Sequence, residues 1–270
     1  MKLNSKRTIL VGLAFLSICA FWQMYDSIVP LILTKTFHMN ETFSGAIMAA
    51  DNILALFLLP FFGSVSDKSH SKLGKRMPFI LFGTGCAIIL MNILPLLDNS
   101  YAAQPSGLKT ASFVIVLGLL LVTMGTYRSP AVALMPDVTP KPLRSRANAI
   151  INLMGALGGI IYLIITTFLY KTTADVYVSY LPLFAIVGGI MLAALAVILL
   201  CVDEPKLVAE QRRYEDAHPE DNLTQVTENG ETLPRDVKRS LGFLLASIAL
   251  WFVGYNGVTT WFSVYAGRTW

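Results

Sequence analysis

The sequence predicts an all-α polytopic membrane protein, and three observations carry that prediction. Hydrophobic residues make up 54% of the 270 positions and charged residues only 14%, above the apolar share of ordinary soluble chains. The charges are gathered between long apolar runs instead of being spread as a soluble globule would spread them. Each of seven runs reaches roughly the 20 residues that a helix needs to cross the hydrocarbon layer. The expected spans are 8–34, 43–65, 77–97, 110–135, 147–169, 180–202 and 241–264.

Taken in order, the first run is too long for a secretory leader. It ends in Trp22-Gln23-Met24-Tyr25-Asp26, without the small residues of a cleavage site. Asn40 and Thr42 are candidate caps for the second. Pro30, Pro60, Pro95, Pro130 and Pro182 fall inside runs, which spanning helices tolerate because neighbouring helices re-satisfy the freed backbone groups. Gly155-Ala156-Leu157-Gly158-Gly159 in the fifth run reads as a face for close helix approach. Cys19, Cys86 and Cys201 all lie in runs, with neither zinc nor disulfide spacing. No metal and no cofactor is expected.

The Lys/Arg distribution sets the expected topology. With the N-terminus inside, sixteen fall in inner segments, against only Lys35, Lys109, Lys171 and Arg268 in outer ones. This places the N-terminus in the cytoplasm of a cell-membrane protein. Topology thus accounts for the basic balance, and no nucleic-acid partner is expected. Residues 203–240 are the one long polar segment, with Asn229-Gly230 as a turn signal. The expected organisation is a six-helix bundle at 1–202, a cytoplasmic linker at 203–240, and at 241–270 the first helix of an apparently truncated second bundle. A Tyr-polar-small triplet recurs every third helix, as Tyr25-Asp26-Ser27, Tyr127-Arg128-Ser129 and Tyr255-Asn256-Gly257. Repeats of three helices are a common transporter plan.

Asp26, Asp51 and Arg128 lie inside spans, where each costs roughly 2.5–3.5 kcal/mol on insertion scales. An anchor has no need of them, so they point to transport. Counted at about 1.5 Å per residue, Asp26 and Asp51 fall at similar depth in the outer half. Arg128 falls roughly 15 Å further in. Two carboxylates at one level in low dielectric would share a proton or bind a cation. Arg128 could position substrate, trade charge with Asp26, or bond the carbonyls that Pro130 frees. Gln23, Tyr25, Asn52, Tyr255 and Asn256, with Trp22 and Trp251, are candidates to line a cavity for a hydroxyl-rich substrate. Aromatic residues also belt membrane interfaces.

The most specific segment follows the second span: Gly63-Ser64-Val65-Ser66-Asp67-Lys68, then Gly74-Lys75-Arg76-Met77-Pro78-Phe79-Ile80. It resembles the helix 2–3 signature of the major facilitator superfamily. The Arg-x-Pro-Phe-Ile ending is most similar to the sucrose-carrier branch, related to the glycoside–pentoside–hexuronide cation symporters. Arg128-Ser129-Pro130 through Asp137, and Arg144-Ser145-Arg146-Ala147-Asn148-Ala149, resemble its helix 4–5 region. The resemblance implies symport of a sugar or glycoside with a proton or monovalent cation by alternating access. It implies that Gly63, Asp67, Lys68, Gly74, Lys75, Arg76, Asp137 and Arg144 form a conformational latch. It also implies that an acid on helix 1 faces an Arg on helix 4, as Asp26 and Arg128 do. Two departures stand out. The acids of the melibiose-type sodium site fall on Leu59 and Ala55, and an Arg of plant sucrose carriers falls on Val132.

A seven-helix receptor is disfavoured by the inside N-terminus, and an opsin by the lack of a lysine in the seventh run. A membrane enzyme is disfavoured by the lack of a nucleophile–base pair or phosphate loop. A third alternative is a fragment inactive in transport, or a carrier of a non-sugar solute.

Overall fold

The computed structural model describes residues 3–170, 177–218 and 234–269. It is helical: α1 (Ser5–Leu31), a π-helical turn (Ile32–Thr36), α2 (Glu41–Asp67), α3 (Met77–Ala103), α4 (Gly107–Val138), a 3-10 turn (Lys141–Leu143), α5 (Arg144–Leu169), α6 (Leu181–Cys201), α7 (Glu204–Ala217) and α8 (Arg235–Thr269). Among the described residues, seven helices are long and apolar enough to cross a membrane, and they coincide with the seven expected runs.

Local chemistry sets the helix ends. Asn4 caps α1 by accepting from the Arg7 N–H at 3.2 Å, and Asn40 caps α2 by accepting from Thr42 at 3.0 Å. Of the two expected caps, only Asn40 is one. Pro78 and Pro182 occupy the first turns of α3 and α6, where a missing N–H costs nothing. Pro182 is therefore a start signal. After Pro30 the α1 ladder loosens into the π-turn, and the Thr34 hydroxyl donates to the Pro30 carbonyl at 2.7 Å.

α1 is the hub. It packs most extensively on α5, while α3 packs on α4, and α6 touches both α1 and α3. Glycines set these distances. A Cβ on Gly158 would run into the backbone of Leu16, and one on Gly155 would lie 2.9 Å from Cys19 Sγ. The expected small-residue face is thus the α1–α5 seam. Across the α1–α4 seam the Tyr127 hydroxyl pairs with Ser17 Oγ at 2.5 Å and donates to the Ala14 carbonyl at 3.0 Å.

α2 and α8 are different. In α2 only Ser44, Met48 and Ser66 are buried, and Ile53, Leu56, Phe57 and Phe61 are exposed. α8 contacts α1 but buries none of its apolar span.

The polar segment after α6 holds one helix that the polarity argument passed over. α7 begins at an Asp203 cap, which accepts from Lys206 N–H at 3.2 Å. Its Leu207 packs into the core, and its Glu210 pairs with Arg7 at 2.9 Å. Asn229-Gly230 lies outside the described residues.

Candidate functional site

Two constellations emerge, one in the middle of the spans and one at the basic end of the bundle, where α1 and α3 begin.

In the middle, α1 presents Trp22, Tyr25 and Asp26 within two turns. Tyr25 is buried to 1% exposure, stacked on Phe21 and edge-on to Trp22. Asp26 and Asp51 are half-buried. Trp22, Asp51 and Arg128 line one small cavity of about 20 Å³ with Ala55, Leu58, Leu59, Leu121 and Gly125, room for a single water. The Arg128 guanidinium lies 5.4 Å from the Trp22 ring centre, a cation–π contact. Asp26, Asp51 and Arg128 are all within electrostatic range of one another, and Tyr25 of both acids.

Arg128 was expected some 15 Å inward of the acids. Its backbone does lie toward the basic end, because neighbouring Ser129 donates to the Leu59 carbonyl at 2.8 Å, two turns past Asp51. The long side chain makes up the difference by reaching back along α2 to Trp22 and the cavity that Asp51 lines. Counting residues along a helix measures Cα depth, and an arginine carries its charge a further ~6–7 Å from there. Arg128 and Asp51 thus line one cavity, with Asp26 in electrostatic range of both and, among the described residues, no ion pair among the three. Among the described residues Arg128 makes neither an ion pair nor a hydrogen bond, so it does not bond the carbonyls near Pro130. The Trp22 indole N–H and the Tyr25 hydroxyl, both buried, also lack hydrogen-bond partners there.

The other predicted lining residues divide. Asn52 is exposed and turned onto its neighbour: its amide and its backbone N–H both donate to Asp51 Oδ1, at 2.8 and 2.6 Å. Gln23 faces α5, with its Oε1 3.7 Å from where a Gly159 Cβ would sit. Tyr255 is 52% exposed on α8, and Asn256 and Trp251 are exposed as well. The structure does not bring them to the site. Helix α8 meets the bundle along α1 without burying this stretch, so the third Tyr-polar-small triplet lacks the packing of the first two.

At the basic end Arg76 is the centre. Its side chain is 6% exposed. Nε donates to Asp137 Oδ2 at 2.8 Å, one terminal nitrogen to Ser66 Oγ at 2.5 Å, and the other pairs with Asp67. Burial pulls the guanidinium pKa down, but Asp137 and Asp67 outweigh it, so the net shift is upward and the charge is secured. Gly63 admits α4: a Cβ there would lie 3.0 Å from Ser129 Oγ. Arg144 donates to the Pro136 and Thr139 carbonyls at 2.8 and 3.2 Å, closing the C-terminus of α4. Lys68 is exposed and makes no ion pair among the described residues. Of the eight expected latch residues, Gly63, Asp67, Arg76 and Asp137 therefore form one network at the basic end, and Lys68 and Arg144 do not join it.

Sequence reasoning missed Glu204. Its buried carboxylate accepts from the backbone N–H groups of Lys75 (2.8 Å), Arg76 (3.0 Å) and Met77 (2.9 Å). It thus caps the start of α3, where an anion is favoured. Gly74 has φ +111°, and a Cβ there would collide with the Glu204 side chain, so this loop requires glycine on two counts. Its only sequence trace is the Asp-Glu-Pro that opens α7. Glu204→Ala leaves three N–H groups without their acceptor. It should cost about 2 kcal/mol, read as a lower melting temperature in detergent, with Glu204→Gln losing less.

A larger cavity of about 80 Å³ lies between the start of α1 and the end of α4, lined by Arg7 and mostly apolar residues. Its one charge is already paired with Glu210, so the chemistry lies elsewhere.

A bundle of seven membrane-length helices with ionisable groups converging in mid-span defines a multi-pass membrane protein. The chain belongs to the Major Facilitator Superfamily, whose family model matches residues 11–269. Among curated proteins, it is similar to the sucrose transport protein SUC3 of Arabidopsis thaliana, 34% identical over 152 residues, which are 52% of this chain and 25% of that protein. It is 36% identical over 154 residues to the sucrose transport protein SUT3 of Oryza sativa subsp. indica, covering 52% and 30%. It is 26% identical over 225 residues to solute carrier family 45 member 3 of Homo sapiens, covering 80% and 40%. The chain therefore spans less than half the length of these relatives.

Proposed function

We propose that this chain carries one half of a secondary active transporter for a sugar or glycoside, driven by protons or a monovalent cation through alternating access. Residues 1–202 are the first bundle, 203–240 a cytoplasmic linker, and 241–270 the start of a second bundle. The N-terminus lies on the cytoplasmic side of the cell membrane. The observation that carries this reading is the mid-span site itself: Asp51 and an Arg128 without hydrogen bonds among the described residues meet at Trp22, with Asp26 in electrostatic range of both. Such a grouping is costly in a bilayer, and intramembrane ionisable groups mark substrate and ion pathways. A guanidinium with five unused donors suits the vicinal hydroxyls of a sugar, the Trp22 face suits a pyranose ring, and the paired acids take up the coupling ion. The sucrose-transport relatives supply the substrate class. The Arg76 network holds the basic end closed and loosens as the bundles rock.

The test is uptake of labelled sucrose into cells making the protein, at external pH 5 and 7. Wild type should accumulate sucrose more at pH 5. Asp26→Asn should lower uphill accumulation at least tenfold while leaving surface expression unchanged. Undiminished accumulation in that variant would sink the coupling role.

A further inference from the structure

The two hydrogen bonds onto Asp51 single out one oxygen of that carboxylate and the residue that holds it. Both the Asn52 amide and the Asn52 backbone N–H donate to Asp51 Oδ1, while Asp51 Oδ2 makes no hydrogen bond among the described residues. Asp51 lines the cavity with Trp22 and Arg128, and Asn52, next along the helix, is exposed. We propose that Asn52 is a positioning residue for Asp51 and not a substrate ligand: it fixes Oδ1, leaving Oδ2 as the oxygen that takes and gives up the proton. This rests on the reading of Asp51 as a coupling acid.

The chemistry follows from donor count. An ionised carboxylate is acceptor-only, and each N–H it receives favours the charged form. With Oδ1 occupied by two donors, the lone pairs of Oδ2 are the open ones. A proton arriving there forms an O–H on Oδ2, which breaks again on release, and no other bond changes. The amide also holds χ1 of Asp51, so the proton is always presented to the same neighbours. Those neighbours are Tyr25 and Asp26 from α1 and Arg128 from α4. Lys35, the charged residue of the π-turn, is exposed near the far end of α1. An alanine at 52 keeps the backbone donor and loses the amide, which isolates the side chain's part.

The experiment is a pH titration of the carboxylic-acid C=O stretch by difference infrared spectroscopy on the full chain in lipid vesicles, paired with sucrose uptake. The Asp51 band is the one lost in Asp51→Asn. In Asn52→Ala its midpoint should move to higher pH by about one unit, a tenfold tighter hold on the proton, and Asn52→Ser, which retains a donor, should move it less. Sucrose affinity at saturating proton concentration should stay within twofold of wild type. An unmoved midpoint in Asn52→Ala overturns the proposal, as does a tenfold loss of sucrose affinity at an unmoved midpoint, which makes Asn52 a ligand. If the midpoint moves while wild-type uptake ignores pH, the positioning role stands and the coupling reading fails.

Discussion

Replacing Gly158 with valine should destabilise the protein more than any other single change in the α1–α5 seam, by about 3 kcal/mol or more. At this position a Cβ meets backbone: the Leu16 carbonyl oxygen and carbon both lie closer than real Cβ atoms come, and Leu16 Cα is tight at 3.1 Å. Backbone cannot rotate away as a side-chain tip can, so α1 and α5 must separate along their length. Overpacking a tight core costs typically 1–3 kcal/mol, and here the separation also undoes the most extensive helix contact of the molecule. Gly159 is the control. A Cβ there meets only Gln23 Oε1 at 3.7 Å, so Gly159→Ala gains helix propensity, up to about 1 kcal/mol, at no steric cost. Thermal unfolding in detergent should show Gly158→Val falling well below wild type and Gly159→Ala at or above it. Equal melting of the two would mean that α5 is not seated on α1 as described.

Arg76→Ala should be the most damaging change at the basic end, with a loss of about 2–4 kcal/mol. Removing one partner of a buried ion network costs about 3–5 kcal/mol because the stranded charges stay behind. Asp67 and Asp137 are 59% and 33% exposed, so solvent screening brings the figure down. Ser66, fully buried, loses its donor as well. Lysine should rescue only part: it restores the charge but not the fork that reaches Asp137, Ser66 and Asp67 at once. If the network also gates transport, Arg76→Lys should fold and reach the surface yet show uptake at least threefold lower. Parallel measurement of melting temperature and initial uptake rate separates the two effects. Full activity with lower stability would confine Arg76 to a structural role.

The recurring triplet shows how far sequence reasoning reached. Tyr25 and Tyr127 are both buried to 1% exposure, each is followed by a half-buried charged residue, and the serine after that bonds a helix carbonyl. Pattern alone found both. The third triplet has the same letters on α8, and there Tyr255 is exposed, because a triplet acquires a role only from the helices packed around it. Likewise composition does not encode which way the Asn52 amide turns, which is set by its nearest acceptor, here one residue away.

What the sequence determined by itself was everything that depends on solvent transfer and covalent spacing. Apolar length dictated seven membrane-length helices, charge among apolar neighbours marked Asp26, Asp51 and Arg128, and the spacing from Gly63 through Asp67 to Arg76 carried the family. Only the tertiary structure decided which groups meet. It brought Arg128 beside Trp22 through the reach of its side chain. It drew Arg76 inward between Asp67 and Asp137. It also set Glu204 on the start of α3 from 127–129 residues away. The physical reason is that burial of a span is a sum over its own residues, whereas a hydrogen bond or ion pair depends on angle and distance between helices. The close approaches at Gly158 and Gly63 fix those, and no single segment encodes them.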